Sequence, residues 1–261
     1  MPAAIALRDV MVRRAGRVIL GPLSWEVQAG ERWIVLGPNG SGKTTLTSVA
    51  AMRLWPTAGS VEVLGERYGQ TDARDMWRRV GLASSSLEAT LRGDLTPHTL
   101  IMTARHGATE PWWHVYEDAD HERALDLAGR IGLGERTEQA FETLSAGERR
   151  RVSIARALMP DPDVLLLDEP AANLDLAARE RLLADLARLA GGERPTAMIL
   201  VTHHLEEIPP GFGHALVLAE GHVVAAGPIE AVLRDEVLET AFGLPIAVGH
   251  QGGRWTARLR A

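Results

Sequence analysis

Eight residues, Gly37-Pro38-Asn39-Gly40-Ser41-Gly42-Lys43-Thr44, carry the strongest chemical signal in the chain. They fit Gly-x-x-x-x-Gly-Lys-[Ser/Thr], a spacing whose glycines let backbone N–H groups converge on phosphate oxygens. In such a loop the lysine reaches β- and γ-phosphates and the next hydroxyl binds Mg2+. Lys43 and Thr44 are the expected ligands, with Thr45 beside them at the start of a helix. Composition singles out the same place. Of the 28 basic residues 27 are arginine and only Lys43 is lysine; the two asparagines are Asn39 and Asn173. A codon bias accounts for the scarcity but not for where the exceptions sit. Where arginine serves everywhere else, the retained lysine marks a site that needs a compact ammonium.

A second constellation lies downstream. Val164-Leu165-Leu166-Leu167-Asp168-Glu169-Pro170 is an aliphatic run ending in two acids. Continuous apolarity of this kind marks a strand buried on both faces of a parallel sheet. Asp168 at its carboxyl end is placed to hold Mg2+, and Glu169 to act as the base that polarises an attacking water. Read alone, the two acids could equally cap the next helix. Leu144-Ser145-Ala146-Gly147-Glu148 heads a helical segment, where Ser145 and Glu148 have the spacing of a capping box. Thr202-His203-His204 follows the apolar run Met198–Val201. Glu206 and Glu207 beside the histidines could suggest a metal, but one such cluster is a weak signal.

In this order and spacing the motifs resemble the ATP-binding cassette (ABC) ATPases, over residues 5 to about 235. The resemblance implies an α/β fold: a P-loop NTPase (RecA-like) core, an antiparallel β subdomain and an inserted helical subdomain. It implies Mg-ATP as cofactor and hydrolysis by a head-to-tail homodimer. In that family the counterparts of Ser145 and Gly147, with Glu148 next to them, bind the γ-phosphate held by the opposite subunit. Ala172-Asn173-Leu174-Asp175 resembles the loop that crosses the dimer interface, and His203 the switch histidine that contacts the γ-phosphate. His204 fits that position less well.

Several positions depart from the family pattern. The signature is usually Leu-Ser-Gly-Gly-Gln, so Ala146 and Glu148 are substitutions. After Val80-Gly81-Leu82-Ala83 most members have a glutamine that binds Mg2+ and its water. Here that position is Ser85 within Ser84-Ser85-Ser86, a run resembling stand-alone molybdate-operon and photorepair-type members. The aromatic platform for adenine is missing from residues 1–24, and Arg14 is the nearest equivalent, since a guanidinium plane can stack on a purine. It could equally be a solvated side chain. The tail Ala241-Phe242-Gly243-Leu244-Pro245 resembles siderophore and cobalamin importer ATPases. The expected reading is an importer's ATP-binding subunit with a membrane permease as partner. A stand-alone ATPase in regulation or repair is the alternative, and Glu169 with His203 argues against a nucleotide switch without turnover.

The elements that must position these residues follow from patterning. Residues 5–36 alternate apolar and polar with turns at Gly16 and Gly30, as half-buried antiparallel strands do. Within them Trp33–Leu36 is short and apolar enough for a buried strand feeding the glycine loop, and Thr44–Met52 continues as a helix. Val61–Gly65 reads as another strand. Residues 86–143 have helical spacing, as in Ala124-Leu125-x-Leu127-Ala128-x-x-Ile131, and match the family's inserted helical subdomain. Leu182-Leu183-x-x-Leu186-x-x-Leu189 is an amphipathic stripe. An ATPase domain over 1–235 and a tail over 236–261 are expected. In that tail Pro245–Val248 and Trp255–Leu259 flank Gly249–Gly253 as a hairpin. Pro111–Tyr116 packs Trp112, Trp113 and Tyr116 into six residues of a chain that is 5% aromatic.

Bulk properties narrow the classes further. With 261 residues the chain buries an ample core without staples. The formal charge of −6 argues against a general nucleic-acid coat, so no nucleic-acid partner is expected. The absence of cysteine excludes disulfide scaffolds, thiolate metal sites and cysteine nucleophiles. Aliphatic runs are too short for membrane insertion, and Met1–Ile5 lacks the start of a signal peptide. A cytoplasmic protein is expected, peripheral at the inner membrane if a permease holds it.

Overall fold

The computed structural model describes residues 3–192 and 194–260; Met1 and Pro2, part of the amino-terminal reading above, lie outside them. The chain opens with β1 (Ile5–Arg14) and β2 (Arg17–Val27), an antiparallel hairpin turning at Ala15-Gly16, both with positive φ. Next come β3 (Arg32–Leu36) and α1 (Lys43–Ala50), then β4 (Ala58–Val63) and the short β5 (Glu66–Arg67). These strands divide between two sheets. β2-β1-β4-β5 is antiparallel throughout, whereas β3 leaves for the parallel sheet, so residues 32–36 are not the antiparallel strand that alternation predicts. Its register against later strands overrides the local pattern.

Beyond α2 (Ala73–Met76) and β6 (Val80–Ala83) the helical part begins with α3 (Ser85–Glu88). It continues through α4 (Pro97–Thr103), α5 (Asp118–Arg130) and α6 (Ala146–Leu158). The β–α alternation then resumes with β7 (Val164–Asp168), α7 (Leu176–Ala190), β8 (Ala197–Thr202), β9 (His214–Ala219) and β10 (His222–Pro228). Finally α8 (Ile229–Val232) and α9 (Asp235–Phe242) lead into β11 (Ile246–Gln251) and β12 (Arg254–Leu259).

The large sheet has the order β10-β9-β3-β8-β7-β6 and is parallel except for β9–β10. Its strands read as unbroken apolar runs because both faces are covered. Val35, Leu166, Ile199 and Leu216 pack toward α1 and the antiparallel sheet. Their neighbours Ile34, Leu165, Leu200 and Val217 pack on the opposite face with Leu186 and Trp255. The helical part has a core of its own around Leu100, Ile101, Leu127 and Val152. Leu189 and Leu125, placed on apolar stripes by spacing, are largely exposed, because each lies at the margin of its helix's buried face.

The tail hairpin is longer and its turn tighter than the glycines suggest. Strand pairing runs to Gln251 opposite Arg254, and the turn is Gly252-Gly253, both with positive φ. That conformation suits a two-residue hairpin turn and is open to glycine without steric cost. Gly249, His250 and Gln251 belong to the strand. His250 stacks on Trp255 with centroids 4.2 Å apart, which gives them a cross-strand partner.

Candidate functional site

The chemistry-bearing residues converge at the carboxyl ends of three adjacent strands, β3, β8 and β7. Leu36 lies opposite Thr202 and Asp168 opposite Val201, so the loops after all three strands emerge side by side. This is where open α/β sheets bind ligands. After β3 the chain forms the glycine loop and enters α1 at Lys43, one residue earlier than the periodicity implies. Two glycines there are required by geometry. At Gly37 a Cβ would lie 2.2 Å from the Leu218 carbonyl oxygen, and Gly42 has φ +97° against the Ile19 carbonyl. Gly221 ties the arrangement together: it accepts from Gly21 N–H at 2.7 Å and donates to the Ser41 carbonyl at 3.2 Å.

Lys43 is 5% exposed, and its ammonium donates to the carbonyls of Gly37 (2.9 Å) and Pro38 (3.0 Å). Burial lowers its pKa, while the charges of Glu169 and Asp168 hold it up. Its Nζ lies 3.9 Å from Glu169 Oε1, and the same carboxylate oxygen is 3.0 Å from His203 Nδ1. Lys43, Glu169 and His203 thus form one contiguous polar cluster. Glu169 has φ +50°, a left-handed conformation that is costly for a non-glycine residue.

Asp168 is 3% exposed and its Oδ1 is buried without a hydrogen-bond partner. Burial pushes its carboxyl up from the ordinary range, and the Thr44 hydroxyl and Lys43 ammonium act in the other direction. A buried unpaired carboxylate oxygen beside a hydroxyl is a hard-oxygen donor set of the kind Mg2+ takes together with substrate phosphates. Ser41 Oγ is also buried without a partner in the glycine loop. β6 runs parallel to β7 with Ala83 opposite Leu167, so Ser84 and Ser85 continue beside Asp168 and Glu169. Ser84 is the buried member and N-caps α3 through Leu87 N–H, while Ser85 is exposed.

The cost of that unpaired carboxylate gives an expected result. Because the folded pKa is raised, this group's contribution favours the fold in acid and is lost as pH rises into the folded carboxyl range. Asp168→Asn should raise the melting temperature of nucleotide-free protein at neutral pH. A gain of ~1 kcal/mol, from removing a buried charge while an amide atom stays unpaired in its place, corresponds to ~2–4 °C in a chain of this size. The difference should shrink in acid, where Asp168 is protonated. Calorimetry at the two pH values checks it, and a lower melting temperature at neutral pH would refute it.

Other predicted residues sit elsewhere. Ser145, Gly147 and Glu148 lie at the start of α6 and share no hydrogen bond or ion pair with the glycine loop among the described residues. The capping box is present: Ser145 N–H and Oγ each meet Glu148 Oε2 at 2.8 Å, and Glu148 N–H donates to Ser145 Oγ at 3.3 Å. Arg136, which no local pattern flags, pairs with Glu148 at 2.7 Å. A Cβ on Gly147 would lie 3.3 Å from Leu174 Cδ2, so the loop Ala172–Asp175 packs on the head of α6. Asp175 itself N-caps α7, accepting from Ala178 N–H at 2.7 Å. Arg14 ends β1, exposed, on the hairpin whose Ile19 carbonyl abuts Gly42.

The two glutamates after the histidines do not turn toward them as a metal set. Glu207 is buried and accepts from the Thr202 hydroxyl at 2.5 Å, and Glu206 faces the tail hairpin. His204 is exposed. Neither Trp112 nor Trp113 packs inward; they are 62% and 78% exposed.

A parallel sheet that feeds a glycine loop and buried lysine from one strand, and an acid pair from its near neighbour, defines a P-loop nucleoside triphosphatase. The family model described as "ABC transporter" matches residues 20–172. The ABC transporter ATP-binding protein YlmA of Bacillus subtilis is 37% identical over 245 residues, covering 94% of this chain and 92% of its own. Hemin import ATP-binding protein HmuV of Rhodococcus jostii is 33% identical over 248 residues, covering 94% and 82%. Among solved structures, a dimeric post-hydrolysis state of the ATP-binding cassette MJ0796 with ADP and Pi shares the fold, with a TM-score of 0.75 at 23% identity. That match covers 86% of this chain and 98% of the other. The chain belongs to the ABC transporter family, as an ATP-binding, ATP-hydrolysing subunit. Among the described residues no helix is long and apolar enough to cross a membrane.

Proposed function

We propose that this subunit binds Mg-ATP in the glycine loop, closes with a second copy head to tail, and drives a membrane permease for import. The convergence of Lys43, Asp168, Glu169 and His203 at the carboxyl ends of adjacent strands carries the catalytic part of that reading. The N–H groups of Gly37–Thr45 and the Lys43 ammonium would cradle the phosphates. Thr44 and Asp168 would hold Mg2+, with the Ser85 hydroxyl as a further ligand; the ion would offset phosphate charge. Glu169 orients and polarises the attacking water and takes its proton as the γ-phosphoryl leaves ADP. His203, held to Glu169, contacts the γ-phosphate. Ser145 and Gly147 of each copy, with Glu148 fixing the helix end, would meet the phosphate bound by the other copy, and Asp175 would lie at that interface. Arg14 would stack on the base.

The import reading is supported by relatives such as the hemin import protein and by an exposed aromatic surface. Trp112, Trp113 and Val115 project from the helical part, and tryptophan is enriched where interfaces concentrate their energy. The protein would then be held peripherally at the cytoplasmic face of the membrane. Trp112→Ala and Trp113→Ala should leave ATP binding intact and release the subunit from membranes during native purification. A wild-type protein recovered with no membrane partner, or variants that keep one, would overturn this assignment of the surface.

A further inference from the structure

The tail hairpin does more than cover the core: it is fastened to the segment that carries His203. The Arg254 guanidinium donates to the Glu206 carbonyl at 2.9 Å and to Glu180 Oε1 on α7 at 3.0 Å. Ala257 N–H donates to Glu206 Oε1 at 3.4 Å. Between them Trp255 is buried, in one cluster with Leu205, Ile208 and Leu186. Upstream, Thr202 is fixed by β8 and by its bond to Glu207, and it accepts from His204 N–H at 3.0 Å. The turn from Thr202 to Glu206 is thereby pinned at one end by the sheet and at the other by the hairpin. His203 is the residue between whose side chain reaches Glu169.

We infer that Arg254 is a positioning residue for the hydrolytic reaction, acting through the Thr202–Glu206 turn to hold His203 against Glu169. The inference rests on the proposed role of His203. It gives the hairpin a part in turnover that strand pairing alone does not require. Glu180 is the second anchor, joining the turn to the helix that Asp175 caps. A shift of the histidine loop by even an ångström takes the imidazole off a bond now 3.0 Å long.

The test is steady-state ATPase kinetics on the full chain. Displacements of order 1 Å at a reacting centre cost up to ~10²-fold, so Arg254→Ala should lower kcat by about 10–10²-fold while KM for ATP stays within about twofold. Arg254→Lys, which keeps a cationic donor, should recover most of the rate. The distinguishing measurement is the double variant. If Arg254 acts through His203, then His203→Ala with Arg254→Ala should be no slower than His203→Ala alone. Additive losses, or unchanged kcat in folded Arg254→Ala, would overturn the inference while leaving the histidine's role standing. Wild-type turnover in His203→Ala would instead overturn the role of His203, and the inference with it. Should Arg254→Ala not accumulate as folded protein, Arg254→Met, which keeps the aliphatic stem and loses the donors, carries the same comparison; a kcat well below that of Arg254→Lys supports the inference, and equal rates in the two oppose it.

Discussion

Lys43→Ala should lose at least about 10²-fold in affinity for ATP. A hydrogen bond to a charged group contributes ~1.5–3 kcal/mol, and each 1.4 kcal/mol is tenfold in Kd. The loss should exceed a single bond because Asp168 and Glu169 would then face the phosphates with the ammonium that now compensates them removed. Lys43→Arg should not rescue, since the ammonium fits between the Gly37 and Pro38 carbonyls in a buried space that a guanidinium overfills. The chain offers an uncommonly clean check. Lys43 is its only lysine, so an amine-directed reagent can modify only that side chain and the amino terminus. Modification of Lys43 should be slow, given its burial, and Mg-ATP should suppress it. Undiminished ATP affinity in Lys43→Ala would remove the phosphate-loop assignment.

Glu169→Gln should bind ATP and fail to turn it over. General-base and water-orienting groups contribute ~10²–10⁴-fold to rate, and that is the expected fall in kcat. Glutamine can still accept from His203 but carries no charge to draw a proton from water. With hydrolysis blocked, the ATP-bound form should accumulate as a dimer, visible by sedimentation with and without nucleotide. A Glu169→Gln protein that stays monomeric with saturating Mg-ATP would argue against the two-site sandwich, whereas near-normal turnover would remove Glu169 as the base.

How much of this was legible beforehand depended on how local each signal is. The glycine loop, the acid-ended strand and the capping box at Ser145 are written in consecutive residues, and the structure shows each as an element of that type. The buried parallel strands were readable because both faces are covered, which leaves no polar alternation to misread. Strand β3 shows the opposite case. Its sheet is set by β8 and β9, more than 150 residues away, so Trp33–Leu36 could be read as a buried strand feeding the glycine loop, while the alternation of residues 5–36 could not show that it leaves the antiparallel sheet. Hairpin limits failed for a different reason: five residues rich in glycine look like a loop, yet only Gly252-Gly253 turns, because His250 has Trp255 to stack on. Arg136 beside Glu148 and Arg254 beside Glu206 left no trace in the sequence, since ion pairs and carbonyl contacts between distant segments have no spacing rule.

The place of β3 in the sheet also bears on how the protein is made. Its two hydrogen-bonded neighbours, β8 and β9, end at residues 202 and 219, and the Gly221 bridge to Ser41 comes later still. The phosphate loop therefore emerges from the ribosome early and waits, unsupported, for most of the chain to follow. Pairings of such long sequence separation are slow to form and leave apolar strands exposed meanwhile. During synthesis the strand that feeds the loop lacks both flanking strands until about residue 219 has cleared the exit tunnel. A piece ending at residue 172, where the family match stops, would carry the glycine loop on a strand with neither of its partners.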